Sequence, residues 1–341
     1  MVRVLARSVS APATTDFPAK APWDEQVRFL LSFAVQAPST RNTQPWKFVL
    51  HDRRIHVEAD PTRRLPVADP EGREALLSIG AAMLNLRVAA ARHLVDCDVR
   101  YDPEPGDHTA VVRIRDPGHP MPDLARLYPA IHARRTNRSE YSPWALSPIE
   151  ERDIRHPPPS YGRNIRIVED TFRIAEVAEL VNEADHRQMS NPAWRAELAR
   201  WIRPHWRGDG LPASSLGLPG LVEWAGAPIV RMMDLGDRAG TRDRSVLEGA
   251  PTIAVVSAPD RRLSILRAGE AMQGFLLAAT RAGLDCAFHS SAIQDPELRE
   301  KLRVELGLHD PPQVLLRVGH ASEPAEATPR RALDDVVLYE I

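Results

Sequence analysis

The sequence predicts an α+β fold in which two related halves, each a mixed β-sheet flanked by helices, form a pseudo-dimer within one chain. Two long helices rich in Ala and Leu are expected, at Glu74–Leu94 and Leu263–Ala282. They align without a gap at a constant offset of 189, with nine identities in the twenty-one positions from Leu77 to Cys97. Each helix leads into a strand, so the repeated unit is a helix that enters a sheet. Halves related in this way tend to pack about a pseudo-twofold axis.

Close packing offers an alternative explanation, because two buried helices can share small residues without common origin. The identities continue beyond the helices, however, as an Arg-x-x-x-Asp-Cys pattern that ends at Cys97 and at Cys286. Packing alone does not account for that pattern, which favours a duplication.

The remaining elements follow from apolar periodicity and from chain breakers. Pro38 ends the first helix, and Pro157-Pro158-Pro159 exclude a helix interior from the linker between the halves. The predicted helices outside the repeat are 23–36, 172–185 and 295–306, and the predicted strands are 47–50, 55–59, 111–115, 165–168, 252–257 and 314–318. The predicted domains are a flexible N-terminal arm over 1–22, a first half over 23–130 and a second half over 131–341.

Composition excludes several classes of function. A net charge of −2 argues against a nucleic-acid-binding protein, which would carry a basic excess. No apolar stretch approaches the roughly 18 residues of a membrane span, and the first 22 residues lack the apolar core of a signal peptide. Two cysteines, without metal-ligand spacing, fit a reducing cytoplasm. We therefore expect a cytoplasmic protein with no metal site and with both cysteines buried.

Three polar segments carry candidate chemistry. Ala37–Trp46 contains Ser39 and Asn42, whose short polar groups can bond either the loop backbone or a polar ligand. Arg134–Arg138 holds three arginines, Thr136 and an asparagine, and it is either a phosphate cradle or a solvated turn. The third segment, Thr328–Arg331, is weak evidence on its own.

Together these segments resemble the nitroreductase superfamily of FMN-dependent oxidoreductases. Ala37–Trp46 matches that family's Ala-Pro-Ser-x-x-Asn-x-Gln-Pro-Trp pattern, and Arg134–Arg138 resembles its Arg-Arg-Ser-x-Arg segment. The C-terminal Pro-Arg-Arg resembles its phosphate-binding basic residues. With its two related halves fused in one chain, the protein resembles the Acg-type proteins of mycobacteria.

The resemblance implies one FMN per chain, since the loop motif occurs only in the first half and the arginine motif only in the second. Pro38, Ser39 and Asn42 would line the ring and ribityl chain. The phosphate and the polar edge of the ring would be held by Arg134, Thr136, Arg138, Arg330 and Arg331. His289 and Ser290 match the loop whose backbone approaches flavin N5 and O4, although its usual glycine is missing.

The implied activity is hydride transfer through flavin N5, from NAD(P)H to a nitroaromatic or quinone-like acceptor. The segment 186–226 departs from ordinary nitroreductases and is predicted to be an irregular lid, since it holds Trp194, Trp201, Trp206 and Trp224. A lid-covered protein that stores FMN with little turnover is the alternative function. Another alternative is a phosphorylated metabolite in the arginine cradle. The protein would be a monomeric pseudo-dimer or a homodimer of it.

Overall fold

A computed structural model describes residues 16–340 except 103, 105, 107, 116, 159–163, 213–225 and 233–235. Its strands form two sheets, ordered β3-β4-β2-β1-β9 and β5-β6-β8-β7. The strands are β1 Trp46–His51, β2 Arg54–Ala59, β3 Asp96–Tyr101, β4 Ala110–Arg115, β5 Ile165–Val168, β6 Thr252–Ser257, β7 Asp285–Phe288, β8 Pro312–Gly319 and β9 Val337–Tyr339.

The helices of the described residues cover both sheets and fill the space between them. They are α1 Trp23–Ala34, α2 Arg73–Arg92, α3 Pro122–Ala125, α4 Tyr128–Ala133, α5 Pro148–Arg155, α6 Thr171–Ser190, α7 Pro192–Trp201, α8 Gly226–Met232, α9 Gly236–Glu248, α10 Arg262–Arg281, α11 Ser291–Gln294 and α12 Pro296–Glu305. The largest apolar core is shared by both halves, because α2 and α10 pack against each other at its centre.

The two halves share one topology, which confirms the predicted duplication. The order β3-β4-β2-β1 in the first sheet corresponds strand for strand to β7-β8-β6-β5 in the second. All of these neighbouring pairs are antiparallel. In each half the long repeat helix connects the second strand to the third. The α+β class with two duplicated halves is therefore confirmed; the first sheet is mixed, because β9 pairs in parallel with β1, whereas the strands of the second sheet pair antiparallel.

Two glycines of the repeat mark the pseudo-twofold axis. A Cβ on Gly80 would lie 2.1 Å from the carbonyl oxygen of Leu266, and a Cβ on Gly269 would lie 2.2 Å from that of Leu77. Gly80 corresponds to Gly269 and Leu77 to Leu266 at the offset of 189. The contact is thus reciprocal, as at the centre of an isologous dimer. Only glycine permits this approach of the two helix backbones.

The halves differ most where their first two strands are connected. β1 and β2 are joined by a tight turn at Asp52 and Arg53, both with positive φ. β5 and β6 are instead joined by residues 169–251, which contain α6 to α9 and which we call the insert. β9, from the end of the chain, crosses to the first half and pairs in parallel with β1.

The predicted helices and strands are found within one to five residues of their expected ends. The prediction of an irregular segment after residue 186 is wrong for its first part, because α6 continues to Ser190 and α7 follows. Pro192 does not break this helix, since it occupies the first turn, where its missing N–H is not needed, and Asn191 caps the N-terminus.

A second correction concerns α2. Among the described residues it is long and apolar enough to cross a membrane, contrary to the expectation that no stretch approaches that length. In this fold 89% of its apolar window is buried inside the protein. The helix packs against α1, α10 and the first sheet, which explains its apolar character on every side.

Candidate functional site

A cavity of about 250 Å³ lies between the two halves beneath the insert. It brings together nine of the ten predicted site residues: Pro38, Ser39, Asn42, Arg134, Thr136, Arg138, His289, Ser290 and Arg330. Segments that lie up to about 290 residues apart in sequence therefore meet at one place, and both halves contribute to it.

The loop from the first half is held in an unusual conformation. Arg41, Asn42 and Gln44 all have positive φ, near 50°, which non-glycine residues rarely adopt. The backbone N–H of Gln44 donates to Ser39 Oγ at 2.9 Å and closes the loop. Backbone strain of this kind persists only where the surroundings fix it, and it is frequent at binding sites.

The amide of Asn42 joins three parts of the chain. Its Nδ2 donates to the carbonyl oxygens of Gly210 and Pro329, each at 3.0 Å. Its Oδ1 accepts from Arg330 at 3.3 Å. The side chain thus fixes the insert and the C-terminal segment relative to the loop, a role that the sequence motif did not reveal. A direct contact of Asn42 with a cofactor stays a prediction.

Arg134 and Arg330 place two buried positive charges at one end of the cavity, with 5% and 7% of each residue exposed. Burial lowers the pKa of Arg134 to about 10. Burial, together with repulsion by Arg134 and Arg135, lowers that of Arg330 to about 9. Within the described part of the chain, neither guanidinium has a carboxylate within ion-pair distance.

Neutral oxygens hold these two guanidiniums in place. Arg330 donates to Thr328 Oγ1 at 2.7 Å and to the carbonyl oxygen of Gln36 at 3.1 Å. Arg134 donates to Thr136 Oγ1 at 3.4 Å, and the Nε atoms of both arginines have no partner among the described residues. Two buried cations that lack a counter-ion but keep free donors are arranged to bind an anion. The cavity therefore fits a ligand with a phosphate at this end.

Arg138 interacts with other charges than Arg134 and Arg330 do. Its charge interacts with Asp243, Arg242 and Arg317, and burial lowers its pKa. Arg317 is stacked over the ring of Tyr141, 4.1 Å from its centroid. Both Arg134 and Arg138 line the cavity, but the charges that act on Arg138 are those of Asp243, Arg242 and Arg317, whereas those that act on Arg330 are Arg134 and Arg135.

Arg331 is the one predicted residue that does not line the cavity, which corrects its proposed contact with the phosphate. Its backbone N–H donates to Gln44 Oε1 at 2.9 Å, and its guanidinium donates to the carbonyl oxygens of Gln44 and Asp335. Asp60 lies 3.8 Å away. Neighbouring residues in an extended segment point in opposite directions, so Arg330 faces the cavity and Arg331 faces away.

The second half contributes the segment that follows β7. His289 is 5% exposed, and neither ring nitrogen has a hydrogen-bond partner in the described part of the chain. Burial lowers its pKa to about 4, so the imidazole is neutral near pH 7. Thr136 forms a β-bridge with Cys286, which places Arg134–Arg138 beside this strand.

Sequence reasoning missed the polar helix residues of the cavity. Glu74 accepts from Gln294 Nε2 at 3.0 Å, and Gln294 Oε1 accepts from Gln188 at 2.9 Å. Asp185 and Asp243 belong to the insert and also line the cavity. These residues lie on separate helices without a shared motif, so no signal in the sequence could have grouped them.

A buried ion pair fastens the insert to the first half. Arg41 Nη1 lies 2.8 Å from Glu197 Oε1, with 6% and 1% of the side chains exposed. Glu197 also accepts from the backbone N–H groups of Val67 and Ala68, at 2.8 and 3.1 Å. Trp194 stacks on Arg41, 4.8 Å from its guanidinium carbon, and borders the cavity. We call the Arg41–Glu197 pair with these two N–H groups the latch.

The described tryptophans of the segment 186–226 differ in their relation to the cavity. Trp194 borders the cavity, whereas Trp201 packs on Leu65 and Ala68, and Trp206 is exposed. Trp224 lies outside the described residues. Of the three tryptophans of this segment that the structure describes, Trp194 is the one placed where a ring could stack on a ligand.

The thiols and the possible metal ligands of the described residues were also compared with the cavity. Both cysteines are free, Cys286 is buried and Cys97 is partly buried. Burial raises the pKa of both thiols to about 12, which leaves them protonated. Among the described residues no cluster of three or more His, Cys, Asp or Glu side chains could hold a metal ion.

The chain is similar to several proteins of Mycobacterium tuberculosis. It is 32% identical over 326 residues to "Putative NAD(P)H nitroreductase Rv3131" of strain H37Rv, covering 92% of this chain and 91% of that protein. It is 30% identical over 321 residues to "Putative NAD(P)H nitroreductase acg" of the same strain, covering 91% and 94%. No protein-family model matches the chain.

Solved structures with a related architecture were also found. One is the FMN-dependent nitroreductase NfnB from Mycobacterium smegmatis in complex with NADPH, with a TM-score of 0.42 and 19% identity over 64% of this chain and all of that chain. Another is "a putative nitroreductase" from Anabaena variabilis, with a TM-score of 0.45 and 11% identity, covering 87% of this chain and 88% of that chain.

Proposed function

Because the chain belongs to the family of Acg-type NAD(P)H nitroreductase-like proteins, we propose that it binds one FMN and acts as an NAD(P)H-dependent oxidoreductase. The observation that carries the proposal is the pair of buried arginines, Arg134 and Arg330, for which the described residues offer no carboxylate partner. The M. smegmatis structure contains NADPH, and the named relatives are called NAD(P)H nitroreductases. Nitroaromatics and quinones are the expected acceptors.

Different residues of the cavity would hold different parts of the cofactor. Arg134, Arg330 and Thr136 would hold the phosphate through charge-assisted hydrogen bonds. Asn42 keeps Arg330 in position through its Oδ1. Arg138, which also lines the cavity, would supply positive charge beside the ring, where the reduced form needs it. When bound, FMN itself supplies hydride acceptance and donation at N5, so the chain needs no nucleophile of its own.

The latch supports a second candidate function, FMN storage with little turnover. Glu197 accepts three hydrogen bonds at a site with 1% of its side chain exposed, so the insert is firmly docked over the cavity. A docked insert would restrict the entry of bulky acceptors. A cytoplasmic location and a monomeric pseudo-dimer stay predictions for either function.

The absorbance spectrum of the purified protein tests both functions. We expect a yellow protein with one FMN per chain, in which NADPH bleaches the flavin band. Steady oxidation of NADPH after addition of a nitroaromatic or a quinone would support the oxidoreductase, whereas bleaching without turnover would support storage. A colourless protein that does not take up added FMN would reject both, and two FMN per chain would contradict the single site.

A further inference from the structure

A second recess lies between the insert and the first half, and we call it the outer groove. Its volume is about 520 Å³, which is in the range of small-molecule sites. The end of α7 and the segment between β2 and α2 form its walls, which consist of Pro61, Thr62, Arg64, Pro66, Pro70, Arg200, Trp201 and Arg203. Three of these residues are arginines and none is acidic, although the net charge of the whole chain is −2. The outer groove therefore concentrates positive charge.

The latch holds the two walls of the outer groove together. Glu197 lies one turn before Arg200 on α7 and accepts from the backbone N–H groups of Val67 and Ala68. Those N–H groups lie between two prolines of the opposite wall. Because proline fixes φ, that wall is stiff before a ligand arrives. The outer groove is thus a preformed site.

The arginines of the outer groove differ in how their charges are compensated. Arg203 lies 2.7 Å from Asp209 Oδ1, and Arg63 lies 2.9 Å from Oδ2 of the same carboxylate. Arg64 and Arg200 are exposed, and neither has an ion-pair partner among the described residues. Guanidinium groups of this kind bind phosphate oxygens through charge-assisted hydrogen bonds. The groove therefore suits a phosphate group.

The outer groove is connected to the cavity proposed for FMN by a third recess of about 250 Å³. This recess shares Thr40 and Ser78 with the FMN cavity, and it shares Pro61 and Arg64 with the outer groove. Its buried carboxylate Asp69 already accepts from two backbone N–H groups at the start of α2. An elongated ligand could therefore reach from one site to the other.

The buried Arg41 reflects how close the two sites are. Arg41 lines the FMN cavity, where burial lowers its pKa, and the charge of Arg200 lowers it further. Charges act on each other mainly over short distances in salt solution. Arg200 therefore lies near the wall that the groove and the cavity have in common.

We propose that Arg64 and Arg200 in the outer groove bind the 2′-phosphate of NADPH, while its nicotinamide end reaches the FMN cavity. The proposal rests on the NAD(P)H-dependent function above and defines NADPH, rather than NADH, as the donor. A phosphate monoester carries about two negative charges near pH 7, which two uncompensated arginines can balance. NADH lacks this phosphate, so it gains nothing from the two arginines.

Binding of NADP⁺ and NAD⁺ to the FMN-loaded protein tests the proposal without hydride transfer. The two ligands differ only in the 2′-phosphate, and calorimetry gives a Kd for each. We expect NADP⁺ to bind at least roughly tenfold more tightly, because it gains charge-assisted hydrogen bonds. Arg64→Met and Arg200→Met should each weaken NADP⁺ binding by about three- to tenfold and leave the Kd of NAD⁺ within about twofold of wild type.

Arg207→Met is the matched control, because Arg207 is an exposed arginine of the insert that does not line the groove. This variant should keep the wild-type preference. Equal affinities of the wild type for NADP⁺ and NAD⁺, or binding of neither, would overturn the proposal. So would an unchanged preference in both Arg64→Met and Arg200→Met, or an equal loss of both ligands, which would place these arginines beside a part that the two nucleotides share.

Reduction of the same preparations separates this proposal from the proposed function. Flavin bleaching that needs equal concentrations of NADPH and NADH would overturn the role of the outer groove alone. A preference for NADP⁺ in binding, lost in the two arginine variants, without bleaching by NADPH would reject the oxidoreductase function and retain the nucleotide site.

Discussion

The two copies of the repeat end in opposite electrostatic environments. After α10, β7 leads into His289 and Ser290 at the edge of the cavity. After α2, the corresponding positions are Arg100 and Tyr101. Tyr101 donates to the fully buried carboxylate of Glu270, and Arg87 Nε lies 3.5 Å from the same carboxylate. The cavity holds two arginines without a carboxylate partner among the described residues. The corresponding place in the other half holds a buried carboxylate that already has partners.

This difference suggests a physical reason for the single FMN site proposed above. A phosphate site needs buried positive charge that no protein carboxylate neutralises, as at Arg134 and Arg330. Beside β3 the partly buried Arg87 compensates the charge of the buried Glu270, and no arginine run precedes α1. The fold supplies two equivalent positions, and charge balance decides which of them can hold an anion.

The largest expected effect is on FMN binding and comes from Arg330→Met, which removes one of the two buried arginine charges of the cavity. Losing a buried charge-assisted contact should weaken FMN binding by about 1.5–3 kcal/mol, or roughly 10- to 150-fold in Kd. Fluorescence titration of cofactor-free protein with FMN measures it. Arg331→Met is the matched control, since its guanidinium faces away from the cavity, and its Kd should stay within about twofold of wild type. Equal losses in both variants would remove the basis for assigning the phosphate to Arg330.

Glu270→Gln tests the Arg87–Glu270 ion pair beside β3, at the position related to the cavity by the pseudo-twofold axis. Without its carboxylate, Arg87 loses a compensating charge in a buried setting, so the free energy of unfolding should fall by about 1–3 kcal/mol. Urea denaturation would report the loss. The FMN content should remain one per chain, because a lost carboxylate does not by itself create a phosphate site. A second bound FMN would show that Glu270 alone suppresses the symmetry-related site.

The latch, which joins the insert to the first half, predicts an effect on the rate of FMN release. Glu197→Gln keeps one acceptor oxygen but removes the charge that faces Arg41, and it should weaken the docking of the insert by about 1–2 kcal/mol. We expect FMN release to accelerate by roughly 5- to 30-fold. Stopped-flow dilution measures the rate. Glu179→Gln removes an exposed carboxylate from α6 and serves as control; similar rates in all three proteins would exclude the latch from retention.

The smallest expected effect is stabilisation of the cofactor-free protein by inorganic phosphate. At about ten times its Kd, phosphate bound beside Arg134 and Arg330 would add about 1.4 kcal/mol. The thermal midpoint should rise by roughly 1–4 °C. Chloride at equal ionic strength should not reproduce the rise, and Arg330→Met should abolish it. An equal response in wild type and variant would place the phosphate elsewhere.

Much of the architecture was predictable because local patterns determine it. The repeat predicted that α2 and α10 correspond, and the reciprocal contacts of Gly80 and Gly269 are the physical expression of that pattern. The first helix of the insert, α6, was predicted, but α7, α8 and α9 were not. α9 is highly polar, and the proline at the start of α7 resembles a breaker unless its position in the first turn is known.

The site was predictable only where a motif was contiguous. Ser39 and Arg134 were found through local sequence, whereas Asp185 and Asp243 reach the cavity through tertiary packing. The sequence also could not tell which of the two neighbouring arginines, Arg330 and Arg331, faces the cavity. Their orientation depends on hydrogen bonds to Asn42 and Gln44. Such long-range hydrogen bonds have no signature in sequence spacing.

The length of the insert also bears on how the chain folds. β1 and β2 are close in sequence and can pair through local contacts, whereas β5 and β6 must close a loop of roughly 80 residues. Going from a tight turn to such a loop adds about 3 kcal/mol of closure entropy before any pairing is gained. Distant contacts of this kind slow folding. The first hairpin should therefore form early, and the cavity, whose walls require the insert and the C-terminal segment, should be completed last.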